Sequence, residues 1–430
     1  MYLNAMTHRE ELFDLTLRWL NDTFDPDDGK NITKIFTYES GISSLILVRI
    51  LEVLSKIFAT TLHTKRVRTK HELRDQIVSN IGLQGARFDE LSESFRKNTE
   101  CFFPRLPIDA TVVTDGASRL VAIARIKRLS RVAEKVSSRL VETLFHEIQE
   151  AAQGIACMRA HRAGRTVSEF ISSEEEMQND FKQAEDIIVQ NLRNKQLHID
   201  PLALVINDII GLKIIASPEI LNHVQHVFAN EPGITIVEVQ QHCGNYNAVN
   251  LLLDIELPPP GILTARMTDM DWEMAGLRGI DPADIRSGIP EYAKSGAGTI
   301  RIEIILTTPD ELMEAEFGRS IHELRILQLR HRQAYCGPLG QNAKYLIEYL
   351  LALASSPTVL ISEIPIKLYG RYLPEEIAAM KCALYGNAVD GGLLSTFCLQ
   401  QGCQGNFCLT NSGHGTLIEK QNCVKEAWHA

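Results

Sequence analysis

Two stretches of this chain set carboxylates where they could do chemistry from the face of a sheet. Along 249–257, Val249, Leu251, Leu253, Ile255 and Leu257 alternate with Asn250, Leu252, Asp254 and Glu256; along 299–306, Ile300, Ile302 and Ile304 alternate with Arg301 and Glu303. A period of two sends successive side chains to opposite faces. Strands of this kind bury one face and bring their carboxylates side by side on the other, where such groups can move a proton or hold a divalent cation.

Several other chemistries lack their motifs. The chain has no glycine-rich phosphate loop of the Walker type, no dinucleotide glycine fingerprint and no HExxH zinc motif. His146-Glu147 and His322-Glu323 have no second histidine at the helical step that a zinc site needs, and no His-Asp dipeptide of a metal-dependent phosphohydrolase occurs. In the tail, Cys398, Cys403 and Cys408 recur at equal spacing with Cys382, Cys423 and His414 nearby, but the close pairs of a structural zinc site are missing. A glycine-rich lobe with reduced thiols is the expectation there.

The elements that position the strand carboxylates are legible in part. From His8 to about Phe95 the pattern reads as helical, with Leu12, Leu15 and Trp19 on one face and a long apolar-periodic run after Ser40. Ser118–Ile126 reads as a strand leading into a helix from about Leu129, along which Val132, Val136, Leu140, Leu144 and Ile148 form one stripe. Strands follow at 212–216 and 234–239, separated by a helix from Pro218 to Phe228 with Ser217 as N-cap. Prolines 258–260 and glycines 296 and 298 bracket an irregular segment. Beyond Arg330 come a helix over 341–354, a strand over 358–361 and a helix from Pro374.

Composition fits an ordinary globular chain: 430 residues, 45% hydrophobic and 23% charged, long enough for two or three domains. The formal charge of -10 excludes long-range attraction to nucleic acid or anionic membrane as the organising principle, while leaving room for a local basic patch that takes small anions. Nine cysteines, an odd count, without a basic-then-apolar leader point to reduced thiols and a cytoplasmic location. The greasiest stretch, 42–62, is interrupted by Arg49, Glu52 and Lys56, which suits a buried helix and not a membrane span.

Five segments, in order, resemble the RelA/SpoT alarmone synthetase domain. Arg125-Ile-Lys127 running into Val132-Ala-Glu-Lys135-Val is similar to its opening basic segment, and Asp208-Ile-Ile-Gly211-Leu-Lys213-Ile-Ile to its Asp-x-x-Gly-x-Arg-Ile strand. Gly244-Asn-Tyr246-Asn-Ala-Val-Asn250 resembles its Gly-Tyr-x-Ser-Leu-His segment, and Glu303-Ile-Ile-Leu-Thr-Thr its Glu-Ile-Gln-Ile-Arg-Thr strand. Ala315-Glu316-Phe-Gly318-Arg-Ser-Ile-His322 resembles the helix that follows. The resemblance covers about 111–136 and 201–330, with 137–200 and 258–298 as insertions.

The resemblance implies a mixed-sheet, nucleotidyltransferase-like core over 106–330 flanked by helices; the patterns outside it read as a helical N-terminal domain over 1–105 and a small α/β lobe over 331–430, giving an α+β fold. It also implies Mg²⁺-dependent transfer of pyrophosphate from ATP to the 3′-hydroxyl of a guanine nucleotide, or to another hydroxyl such as a transfer RNA end. On that footing Asp208 is a metal ligand and Glu303 a second ligand or the base. Arg125, Lys127 and Lys213 grip ATP phosphates, Tyr246 stacks on the guanine, and Asn250 and His322 contact substrate. Lys213 stands where the family has arginine, losing a planar bidentate grip, and Asn250 where it has histidine. A class rival is a catalytically degenerate member that binds a nucleotide or a partner protein. Homo-oligomerisation stays open, and no membrane partner is expected.

Overall fold

The computed structural model describes residues 1–166, 173–330 and 337–385, together with two short antiparallel strands at 398–401 and 407–410. In chain order the strands before that tail are β1 (Tyr2–Leu3), β2 (His63–Thr69), β3 (Pro107–Thr114), β4 (Leu120–Ile126), β5 (Val205–Ile206), β6 (Ile210–Ile215), β7 (Ile234–His242), β8 (Ala248–Glu256) and β9 (Thr299–Thr307). The helices are α1 (Arg9–Leu20), α2 (Asp28–Phe58), α3 (Lys70–Asn80), α4 (Ala86–Lys97), α5 (Leu129–Arg162), α6 (Glu174–Arg193) and α7 (Pro218–Asn230). They continue with α8 (Pro260–Thr268), α9 (Pro282–Ser295), α10 (Pro309–Phe317), α11 (His322–Arg330), α12 (Pro338–Leu353) and α13 (Pro374–Tyr385). The architecture is mixed α+β.

Seven strands form one sheet in the order β2-β3-β4-β6-β9-β8-β7, in which β6 and β9 run parallel and every other neighbour antiparallel. One face is buried by α2, α5 and α12. Ala122, Ala124, Leu212, Ile214, Leu251, Leu253, Ile255, Ile300, Ile302 and Ile304 point into that core, where they meet the α5 stripe Val132, Val136, Leu140, Leu144 and Ile148. Each fully buried Leu or Ile there contributes about 1.5–3 kcal/mol relative to exposure. The opposite face is divided. Over β2, β3 and β4 it carries a second core with α3, α4 and α10, built from Val67, Leu73, Phe95, Phe102, Ile123 and Phe317 among others. Over β4, β6, β9 and β8 it is polar.

Three segments depart from the sequence reading. Residues 63–69, inside the stretch read as helical, are the edge strand β2; only Val67 is buried there, and so polar an edge strand carries no apolar alternation. The segment 258–298 is not irregular: α8 and α9 lie in it, with Trp272 buried edge-on against Tyr38 of α2. Residues 358–361 form no strand; they run as irregular chain fastened by Ile361 N–H to Pro26 O. Ser217 occupies the N-cap position of α7 but makes no side-chain cap bond to the backbone. The expected cysteine cluster at 398–423 lies outside the residues whose side chains are described, and Cys382 is exposed on α13.

Candidate functional site

Register fixes the polar face. Arg125 on β4 pairs with Gly211 on β6, Gly211 with Glu303 on β9, and Glu303 with Leu252 on β8, so these four share a rung. The neighbouring rung is Ile123, Lys213, Ile305 and Asn250. Because Leu212 and Ile304 between them are core residues, Arg125, Lys213, Glu303 and Asn250 emerge together on the other face. Asn250 Nδ2 donates to Glu303 Oε1 at 3.2 Å, while Asn250 Oδ1 is buried with no hydrogen-bond partner among the described residues. A Cβ on Gly211 would stand 3.9 Å from Glu303 Oε2, so the glycine leaves a trough between Arg125 and the carboxylate.

Asp208 sits just before β6, where Lys127 N–H donates to the neighbouring Ile209 carbonyl at 2.9 Å and brings the two chain segments together. Lys127 Nζ is 3.0 Å from Asp208 Oδ2 and also donates to the Asp208 carbonyl, and Lys135, in the second turn of α5, donates to the same Oδ2. Burial pushes the Asp208 carboxyl up, but the two lysines outweigh it and hold it at about 2. Burial pushes Glu303 above the ordinary carboxylate range; Lys127 opposes that shift and Asp208 adds to it. Burial likewise draws the Lys127 and Lys213 ammonium groups down.

Tyr246 lies in the loop between β7 and β8. Gly244 turns that loop at φ +109°, and its N–H donates to Asn247 Oδ1 at 2.7 Å. Asn247 Nδ2 in turn donates to Glu311 Oε1 on α10 at 3.0 Å, tying the loop down. The Arg325 guanidinium covers one face of the Tyr246 ring at 4.5 Å, and Arg325 Nε is buried without an acceptor among the described residues. Burial, the largest influence, pushes the Tyr246 hydroxyl up to about 12. His322 opens α11 and is kept neutral: burial, then Lys70 and Arg125, depress it far below its ordinary value against Glu323 and Glu316.

All eight residues singled out in the sequence, Arg125, Lys127, Asp208, Lys213, Tyr246, Asn250, Glu303 and His322, therefore belong to one face of the sheet and its rim. Others were not singled out. Lys135 and Glu316 stand within the quoted segments and Glu323 beside His322, but none was given a role; Arg325, Lys70 and Arg74 join the same surroundings through tertiary packing that no local spacing announces. Taken together the region gathers seven cationic side chains (Lys70, Arg74, Arg125, Lys127, Lys135, Lys213, Arg325) against four carboxylates (Asp208, Glu303, Glu316, Glu323). In a chain of net charge -10 this is a local reversal of sign, which suits a polyanionic ligand.

Among the described residues no group of three or more His, Cys, Asp or Glu could hold a metal ion. Mg²⁺, however, is commonly held by one or two carboxylates together with substrate phosphates and waters. Asp208 and Glu303 are the carboxylates of this face that such an ion could use, with Asp208 Oδ2 here engaged by Lys127 and Lys135. No helix among the described residues is long and apolar enough to cross a membrane. No family model matches this chain, and no curated protein matches it.

Proposed function

We propose that this face is a nucleotide site of the alarmone-synthetase kind, on a nucleotidyltransferase-like core, transferring pyrophosphate from ATP to the 3′-hydroxyl of a guanine nucleotide or to a related acceptor such as an RNA end. The observation that carries the reading is convergence: residues from four of the five stretches, in the order of the family's motifs, lie on the adjacent strands β4, β6, β9 and β8 or at their ends and share one face, and His322 of the fifth, at the start of α11, feels the charge of Arg125 on that face.

In the reaction the acceptor oxygen bonds to the β-phosphorus of ATP, the bond from that phosphorus to the bridging oxygen breaks, AMP departs with the oxygen, and the hydroxyl proton passes to Glu303. A base with its pKa raised by burial is matched to that task. Lys127, Lys135, Arg125 and Lys213 supply cations for the phosphoryl oxygens, with Lys213 a point charge in place of a bidentate arginine. Tyr246, with Arg325 over its ring and His242 beside it at 5.7 Å, would stack on a purine. Asn250 Oδ1 is an acceptor in need of a ligand N–H or O–H, and neutral His322 can donate to a phosphate without adding charge. Mg²⁺ held by Asp208 would neutralise phosphate charge.

A second reading, a degenerate nucleotide-binding regulator, is favoured by one observation: Asp208 Oδ2 already receives both Lys127 and Lys135. The decisive assay incubates the protein with γ-labelled ATP, Mg²⁺ and GDP, GTP or bulk transfer RNA, beside Asp208→Ala and Glu303→Ala. Label moving to an acceptor, and lost in both variants, supports transfer. Nucleotide binding without transfer supports the regulator, and neither binding nor transfer sinks both.

A further inference from the structure

At the border between the second core and the polar face, four charges are buried with almost no contact with water. Lys70 Nζ lies 2.8 Å from Glu316 Oε2 and 2.8 Å from Glu323 Oε1; Arg74 Nη2 lies 2.9 Å from Glu323 Oε2 and 3.4 Å from Glu316 Oε2. Arg74 also donates to the carbonyls of Glu316 and Phe102, and its guanidinium is flanked by the Phe102 and Phe317 rings at 5.8 and 5.9 Å. The cations come from α3, outside the segments that resemble the synthetase, and the carboxylates from α10 and the start of α11.

Two cations against two carboxylates make this cluster neutral, and that neutrality matters to its neighbour. Glu316 is the carboxylate that acts most strongly on Lys213. Yet among the described residues the Lys213 side chain has neither an ion pair nor a hydrogen bond, while Glu316 is held by Lys70 and Arg74. Removing one partner of a buried ion pair leaves the other charge uncompensated, and Lys213, the cation that acts most strongly on Glu316 after Lys70 and Arg74, would then be drawn to it.

We propose that Lys70 and Arg74 are positioning residues for the anion-binding face: by holding Glu316 and Glu323 they keep Lys213 unpaired, so that its charge is available to a phosphoryl group of the ligand. This rests on the reading of the face as a nucleotide site, and the test separates the two. Lys70→Met removes one charge with little change of shape, and Lys70→Met/Glu323→Gln restores neutrality. Two quantities are measured on the full chain: ATP affinity by calorimetry, and the rate at which acetic anhydride modifies Lys213, followed by peptide mass spectrometry without nucleotide.

The expected result is at least a tenfold loss of ATP affinity and slower modification of Lys213 in Lys70→Met, with both within threefold of wild type in the double variant. Equal affinity and equal modification in Lys70→Met overturn the proposal. Should the wild type bind no nucleotide, the functional reading fails, and the modification rate alone decides the positioning: slowed by Lys70→Met it stands, unchanged it falls. Glu316→Gln covers the case in which Lys70→Met does not fold. That variant removes the competing carboxylate, so ATP affinity should hold within threefold or tighten, and a tenfold loss there also overturns the proposal.

Discussion

Arg125 and Glu303 flank Gly211 on a single rung of the sheet, a cation and a carboxylate with no side chain between them. The gap is a property of the glycine: its backbone is ordinary strand, and an added Cβ would make only a normal van der Waals contact with Glu303. Gly211→Val therefore suits the strand but fills the trough. The expected outcome is an unfolding midpoint within a few degrees of wild type and nucleotide affinity reduced at least ~10-fold, about 1.4 kcal/mol. Calorimetry beside thermal unfolding checks it, and unchanged affinity would remove the trough from the site.

Asp208 is held by two lysines, which makes its role separable from theirs. Asp208→Asn should lower transfer by roughly 100-fold or more, the scale on which a preorganised charge contributes. It should also tighten Mg²⁺-free ATP binding severalfold, because Lys127 and Lys135 lose their counter-charge. A purely structural aspartate would weaken both. The same carboxyl contributes to acid stability. Its folded value of about 2 lies below the ordinary 3.8, so its contribution is present above 3.8 and is lost as pH falls toward 2. Urea unfolding of the variant between pH 4 and 2 should show a flatter dependence than wild type.

How much of this was legible follows from where the information sits. Ile300, Ile302 and Ile304, or Val132 through Ile148, announce their elements because one face is buried along the whole length and the period shows. His63–Thr69 does not, since an edge strand with one buried residue has nothing to alternate. Trp272 and the helices around it were hidden behind prolines 259, 260, 282 and 290, three of which stand at a helix start or its cap and one inside α9. In the site, carboxylates and cations on strands could be picked out one by one. Lys70 with Glu316, or Arg325 with Tyr246, depend on distant parts of the chain meeting in space, α3 with α10 and α11 with the β7–β8 loop, and no local pattern encodes that meeting.

Glu303 gives transfer a characteristic pH dependence. Burial raises its carboxyl above 4.5, so as a base it becomes available only once the pH passes that raised value. Activity should rise with pH along an acid limb displaced above that of an exposed glutamate. Asn250→Ala, which deletes the hydrogen bond to Glu303 Oε1 that favours the charged form, should displace the limb further upward. An acid limb at the ordinary carboxylate value, insensitive to Asn250, would exclude Glu303 as the base.

His322 tests the electrostatics of the face without any ligand. Burial, with Lys70 from α3 and Arg125 from β4, keeps its ring neutral in the fold, against the weaker pull of Glu323 and Glu316. The unfolded chain protonates this ring near its ordinary value of about 6.5. Below that pH the unfolded state holds one more proton than the folded state at this position, so stability falls as pH is lowered. Glu303 acts with the opposite sign, because its raised value lets the folded state take a proton first. The two contributions separate in the difference between wild type and His322→Gln. Across pH 7 to 5 the variant should lose less stability than wild type, with the gap widening steadily as pH falls. Parallel curves would mean that His322 is protonated in the folded protein, and that the cations around it do not repel charge as their placement requires.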